Sequence, residues 1–250
     1  MDKSNISLIL ALVILIIIFI ISLGLDEPLS EKQYLINTYM YILLSMVLCF
    51  FTWISMDALD INFKFSLLQI FTLFIFAIIS ILVVHMTPAR SYLLNNGAWG
   101  VFVVCMGMMT YSTYKINTMT DSLRRVMFEL MTIMAVLSYI AYALPLSTFD
   151  TYGKPLSYIL CTLIIVELID MLFLSKGENF LIRSRIYGCV TVLLFSGFIL
   201  FDTQKLLKNA KIITKLCENK KQLTCVDYPS ASSELFLDLL NMFNGLSLSR

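Results

Sequence analysis

Histidine occurs once in this chain of 250 residues, as His85. That scarcity excludes a multi-histidine metal site, and no Ser–His couple is present for hydrolytic chemistry. Charge is scarce too. Asp, Glu, Lys and Arg make up 14% of the residues, whereas a soluble domain carries about 25%. A formal net charge of +1 gives no electrostatic case for a nucleic-acid partner. There is no phosphate-binding loop. The alternating strands of about ten residues that mark a transmembrane barrel are missing. The N-terminal region has no arginine, which argues against a mitochondrial presequence.

What the chain has in abundance is apolar residues, 59% of the total, laid out in long blocks. The class is therefore all-α, a polytopic membrane protein. Ile6–Leu25 is an uncharged run long enough to cross about 30 Å of hydrocarbon. It reads as a retained N-terminal anchor or an uncleaved signal, giving a segment 1–30 ahead of a transmembrane domain 31–250. Further spans are expected at Tyr34–Met56, Phe65–Met86, Asn95–Tyr114, Val126–Leu146, Pro155–Leu174, Ile186–Gln204 and about Ser230–Leu248. Trp53 is expected at the membrane interface, as is His85, for which ligation is the rarer alternative. Gly97, Gly100 and Gly107 mark the Asn95–Tyr114 helix as interior, because small residues let backbones approach. Its methionines read as gap-fillers rather than as soft-metal ligands.

Cys49, Cys105, Cys161 and Cys189 lie in apolar runs and read as packing residues. Cys217 and Cys225 share a polar loop and are close enough in sequence to pair. Sorting Lys and Arg onto alternate sides of eight spans gives a tie, so positive charge does not set the orientation. The lysine-dense segment after Asp202 is the best single sign that its side is cytosolic.

Acids inside apolar runs carry the functional argument. A carboxylate in hydrocarbon costs about 2.5–3.5 kcal/mol on insertion scales, so it pairs or faces water. Asp202 interrupts LLFSGFILFDTQKLL, and Asp238 interrupts ELFLDLLNMF. Lys205, Lys208, Lys211 and Lys215 recur every three or four residues, so they share one face of an amphipathic extension past the membrane surface. At helical rise Asp202 then sits about 9–14 Å below that surface, and Asp238 about 12 Å. The two fall at matching depth on helices joined by one loop. Glu234, Asp238 and Asn241 follow i, i+4, i+7 spacing and form one polar stripe. Two touching carboxyls cannot both ionise cheaply, so such a pair can share a proton. Once ionised it suits a hard cation such as Ca²⁺, held transiently by Asp202 and Asp238. The plainer alternative is that each acid hydrogen-bonds a neighbouring helix separately. Glu167 and Asp170, three residues apart, form either an interfacial acidic pair or a cation-attracting vestibule.

Two membrane aspartates invite comparison with aspartyl intramembrane proteases, but the contexts Phe201–Asp202–Thr203 and Leu237–Asp238–Leu239 do not fit. No catalytic residue is assigned, and no enzyme activity is expected. SGFILFDTQKLL and DYPSASSELFLDLLNMF instead resemble the transmembrane Bax-inhibitor-motif family, whose sixth core helix ends in a G-x-x-x-x-D-T-Q-like run. The resemblance is specific over Leu193–Phe243. It implies a seven-helix core around a central last helix, a pH-sensitive Ca²⁺ leak across an internal membrane, and suppression of apoptosis. It carries the family's paired-aspartate sensor onto Asp202 and Asp238 only. This chain departs from the family in its extra Ile6–Leu25 span, in lacking an arginine within Phe65–Met86, and in a long Lys205–Ser230 connection. Its compactness suggests a divergent, virus-borne copy. The expected setting is an endoplasmic-reticulum or Golgi-type membrane, with mitochondrial and plasma membranes as alternatives. The expected partners are lipid, Ca²⁺, protons and host apoptosis regulators, with no bound cofactor. The rival reading is a non-conducting membrane protein that binds host receptors or trafficking factors through its lysine face.

Overall fold

The computed structural model describes residues 29–59, 67–170, 180–218 and 222–250. The Ile6–Leu25 span lies outside these. Among the described residues the elements are all helical: α1 (Glu31–Ala58), α2 (Leu67–Met86), α3 (Tyr92–Met119), α4 (Leu123–Ala143), α5 (Gly153–Ile169), α6 (Phe180–Leu216), the single turn α7 (Gln222–Cys225) and α8 (Tyr228–Leu248). Five helices, α1, α2, α3, α4 and α6, are long and apolar enough to cross a membrane. The two remaining long helices fall short for visible reasons. Helix α5 has 17 residues, and α8 carries Glu234, Asp238, Asn241 and Asn244.

The surface agrees with a lipid solvent. Phe71, Phe74, Phe76 and Leu82 of α2 are exposed, as are Ile159, Ile164 and Ile165 of α5. Soluble monomers rarely expose contiguous apolar patches beyond a few hundred Å², whereas hydrocarbon covers them at no cost. Cys161 and Cys189 belong to this surface, so only Cys49 and Cys105 are the buried packing residues expected. The protein is an integral, multi-pass membrane protein.

The chain divides into two compact units, Met1–Tyr111 with Asn209–Ser233, and Ser112–Lys208 with Glu234–Arg250. In the first, Ser30 caps α1 by accepting from the Gln33 N–H at 3.1 Å. One face of α1, Tyr34, Asn37, Tyr41, Ser45, Cys49, Thr52, Trp53 and Met56, is buried at helical spacing. Trp53 packs inside the unit instead of projecting outward. It is fully buried and donates its indole N–H to the Gly107 carbonyl at 2.8 Å. A buried indole needs such a partner. Of the three glycines in α3, only Gly107 marks a close approach, where an added Cβ would lie 3.1 Å from Thr52. Nothing lies within 4 Å at Gly97 or Gly100.

The connection after Asp202 is mostly helix, because α6 continues to Leu216. Cys217 and Cys225 then form a disulfide. Gln222, between them, accepts from the Tyr228 hydroxyl at 3.0 Å and lies 3.4 Å from the Asn37 amide. Disulfides persist on oxidising sides of membranes, which counts against the cytosolic side that the lysines alone suggest.

In the second unit α6 and α8 pack backbone against backbone. A Cβ on Gly188 would fall 2.5 Å from the Ser249 nitrogen and 2.7 Å from the Gly245 carbonyl oxygen. Any larger residue at position 188 would push the two helices apart.

Candidate functional site

Gln204 fixes the stretch of α6 that carries Asp202 against the end of α4. The last carbonyls of a helix lack intrahelical partners. Gln204 donates its amide to two carbonyls at the end of α4, that of Ala141 at 3.3 Å and that of Pro145 at 2.8 Å. Its own oxygen accepts from the Phe149 N–H at 3.2 Å. Lys208, one turn on, pairs with Asp150 in the same turn. Asp202 is therefore held on a helix pinned at two successive turns.

Opposite it, the polar stripe of α8 takes the form expected from its spacing. Glu234, Asp238 and Asn241 line one cavity of about 470 Å³ together with Asp202, Lys205 and Glu167. Phe195, Phe198, Phe201 and Leu237 are among its apolar lining. The Asp202 and Asp238 carboxyls lie within hydrogen-bonding reach of each other. Two acids that close to each other are able to share a proton. Asp238 is 5% exposed, and its Oδ2 is buried without a hydrogen-bond partner. Asn241 donates to the Leu237 carbonyl at 2.9 Å.

The family model described as "Inhibitor of apoptosis-promoting Bax1" matches residues 31–250. The chain belongs to the Bax inhibitor family. A protein of Borreliella burgdorferi, described as uncharacterized, is 35% identical over 81 residues, which are 32% of this chain and 31% of that protein. The match thus spans about a third of the relative's length. No solved structure matches.

For this Bax inhibitor family chain, Glu167 and Asp170, read as either an interfacial pair or a vestibule, separate. Glu167 lines the cavity, whereas Asp170 is buried and ion-pairs with Arg183 at 2.7 Å. The reason is the start of α6, which brings an arginine to the end of α5. Three contacts were not anticipated from sequence. Lys205 reaches both oxygens of Glu234 at 2.7 Å. Gln204 ties α6 to the end of α4, and the three phenylalanines wall the cavity. The signal for Lys205 was present in its i+3 spacing from Asp202, which sets both on one side of α6. His85 is exposed and meets the Ser230 hydroxyl at 2.7 Å, in the first unit.

Among the described residues no three His, Cys, Asp or Glu side chains are grouped to hold a metal ion. What the arrangement offers is two neighbouring carboxyls, one unpartnered carboxylate oxygen, and room for a small hydrated ion.

Proposed function

We propose that this Bax inhibitor family protein conducts a pH-sensitive Ca²⁺ leak across an internal membrane, of the endoplasmic-reticulum or Golgi type, with all seven long helices crossing it. The leak lowers stored Ca²⁺ and so blunts apoptotic signalling. The observation that carries this reading is the approach of the Asp202 and Asp238 carboxyls in a cavity of about 470 Å³, roomy enough for a hydrated ion. While they share a proton, the pair is a neutral clasp between α6 and α8. Loss of that proton leaves two carboxylates that repel each other, loosen the clasp and attract a hard cation. Ca²⁺ is cargo here, and Glu167 adds negative charge along its route.

Flux of Ca²⁺ into dye-loaded liposomes tests it. Wild type should leak faster as pH rises from acid to neutral, and Asp202→Asn or Asp238→Asn should flatten that dependence. Unchanged flux in both variants would remove the gate.

The rival, a non-conducting protein that contacts host factors through its lysine face, has less support. Lys205 and Lys208 are occupied by Glu234 and Asp150, which leaves Lys211 and Lys215 as the exposed remainder of that face. If reversing those charges abolishes cellular activity while the purified protein passes no Ca²⁺, the rival reading holds.

A further inference from the structure

We propose that the cavity contains a latent three-carboxylate site for a divalent cation, made by Asp202, Asp238 and Glu234, and that Lys205 is the tethered counter-cation that keeps it closed. This rests on the leak reading and names the regulation of the same site. Asp202 and Lys205 lie one turn apart on α6, while Glu234 and Asp238 lie one turn apart on α8. That spacing sets a carboxyl–carboxyl contact beside a carboxylate–ammonium contact. All four side chains line the cavity.

One observation points to a missing ligand, and a second shows what occupies the third carboxylate. Asp238 Oδ2 is buried and has no hydrogen-bond partner, although its residue faces the cavity. Glu234, the third carboxylate, has both oxygens engaged by the Lys205 ammonium at 2.7 Å. Among the described residues the three acids are not grouped to hold an ion as they stand, so the site forms only when Glu234 turns from Lys205 toward the two aspartates. The third ligand is present but turned to an internal cation. A divalent ion of the Ca²⁺ class takes six to eight oxygens at roughly 2.3–2.6 Å, and carboxylates with water satisfy it. With Lys205 in place, full ionisation of the three acids leaves a net charge of only −2. Releasing the ammonium restores −3 against an incoming +2. The Lys205 and Glu234 side chains are 45% and 42% exposed. A half-exposed ion pair is weakly held, so an arriving divalent ion can displace the ammonium into water.

Equilibrium binding of radiolabelled Ca²⁺ to the full-length protein in nanodiscs at neutral pH tests the proposal. Lys205→Gln should tighten binding about tenfold, the scale expected from removing one unit charge beside a partly screened site. Glu234→Gln should weaken binding below wild type, and the double variant should lose the gain. Lys211→Gln, which removes the same charge from the same helix, should bind as wild type does. No gain in Lys205→Gln, or a gain that survives in the double variant, would overturn the latent site. If Lys205→Gln gives no gain but Asp202→Asn still flattens the pH dependence of flux, the latent site falls and the leak reading stands. If Lys205→Gln binds tighter while Asp202→Asn leaks as wild type does, the site stands and the leak reading falls.

Discussion

Asp170 and Asp238 are buried to nearly the same degree, 7% and 5% exposed, yet the chain treats them oppositely. Asp170 is met by Arg183 at 2.7 Å. Asp238 is met by a second acid, Asp202. Taking a charge out of water costs several kcal/mol unless a partner compensates it. The Asp170 side has its charge balanced from within the fold by the guanidinium beside it. The Asp238 side is complete only with a proton or a cation from outside, which is what a responsive site requires. Burial alone does not distinguish a structural acid from a working one. The identity of the partner does.

The largest effect should come from breaking the completed side. Arg183→Leu strands a buried carboxylate and should cost about 3 kcal/mol or more, seen as a large fall in the thermal unfolding midpoint in detergent. Asp238→Asn, at equal burial, should leave that midpoint unchanged or raised, because it removes an uncompensated acid. Equal losses in the two variants would erase the distinction.

Gln204→Ala comes next. It deletes a buried amide whose two donors and one acceptor are all used. About 1–3 kcal/mol should be lost, together with looser pH dependence of flux, since Asp202 would lose its anchored turn.

The smallest effect concerns Asp227, an acid outside the spans with built-in partners. It caps α8 by accepting from the Ser230 N–H at 2.9 Å. Burial raises its pKa above the usual carboxylate value, opposed by the Ser230 N–H, the Asn95 side chain and His85. A carboxyl raised in the folded state stabilises the fold below its unfolded value. That contribution is lost as pH rises through the folded one. Asp227→Asn should therefore keep the cap and flatten stability on the mildly acidic side, whereas Asp227→Ala should cost about 1 kcal/mol at any pH. Thermal melts from pH 4 to 7 check both.

The helices were legible because hydrocarbon demands long apolar runs, and the runs at 67–86 and 228–248 are recovered to within a few residues. Their ends were less so. The Val126–Leu146 expectation overran because Pro145 stops α4 at Ala143, and the segment after Gln204 stayed helical through its lysines. That Asp202 and Asp238 line one cavity agrees with their matched depth and spacing. Partner choice was not legible. Nothing local to Asp170 announces Arg183, which lies across residues 171–179, and nothing local to Trp53 announces the Gly107 carbonyl. Long-range partners are set by packing, to which a single sequence gives no direct access.

Ca²⁺ flux through the full-length protein in liposomes, scanned from acid to neutral pH for wild type and Asp238→Asn, tests the central claim most directly. The account predicts a leak that grows as the shared proton is lost in wild type and a flat profile in the variant. Superimposable profiles would contradict it.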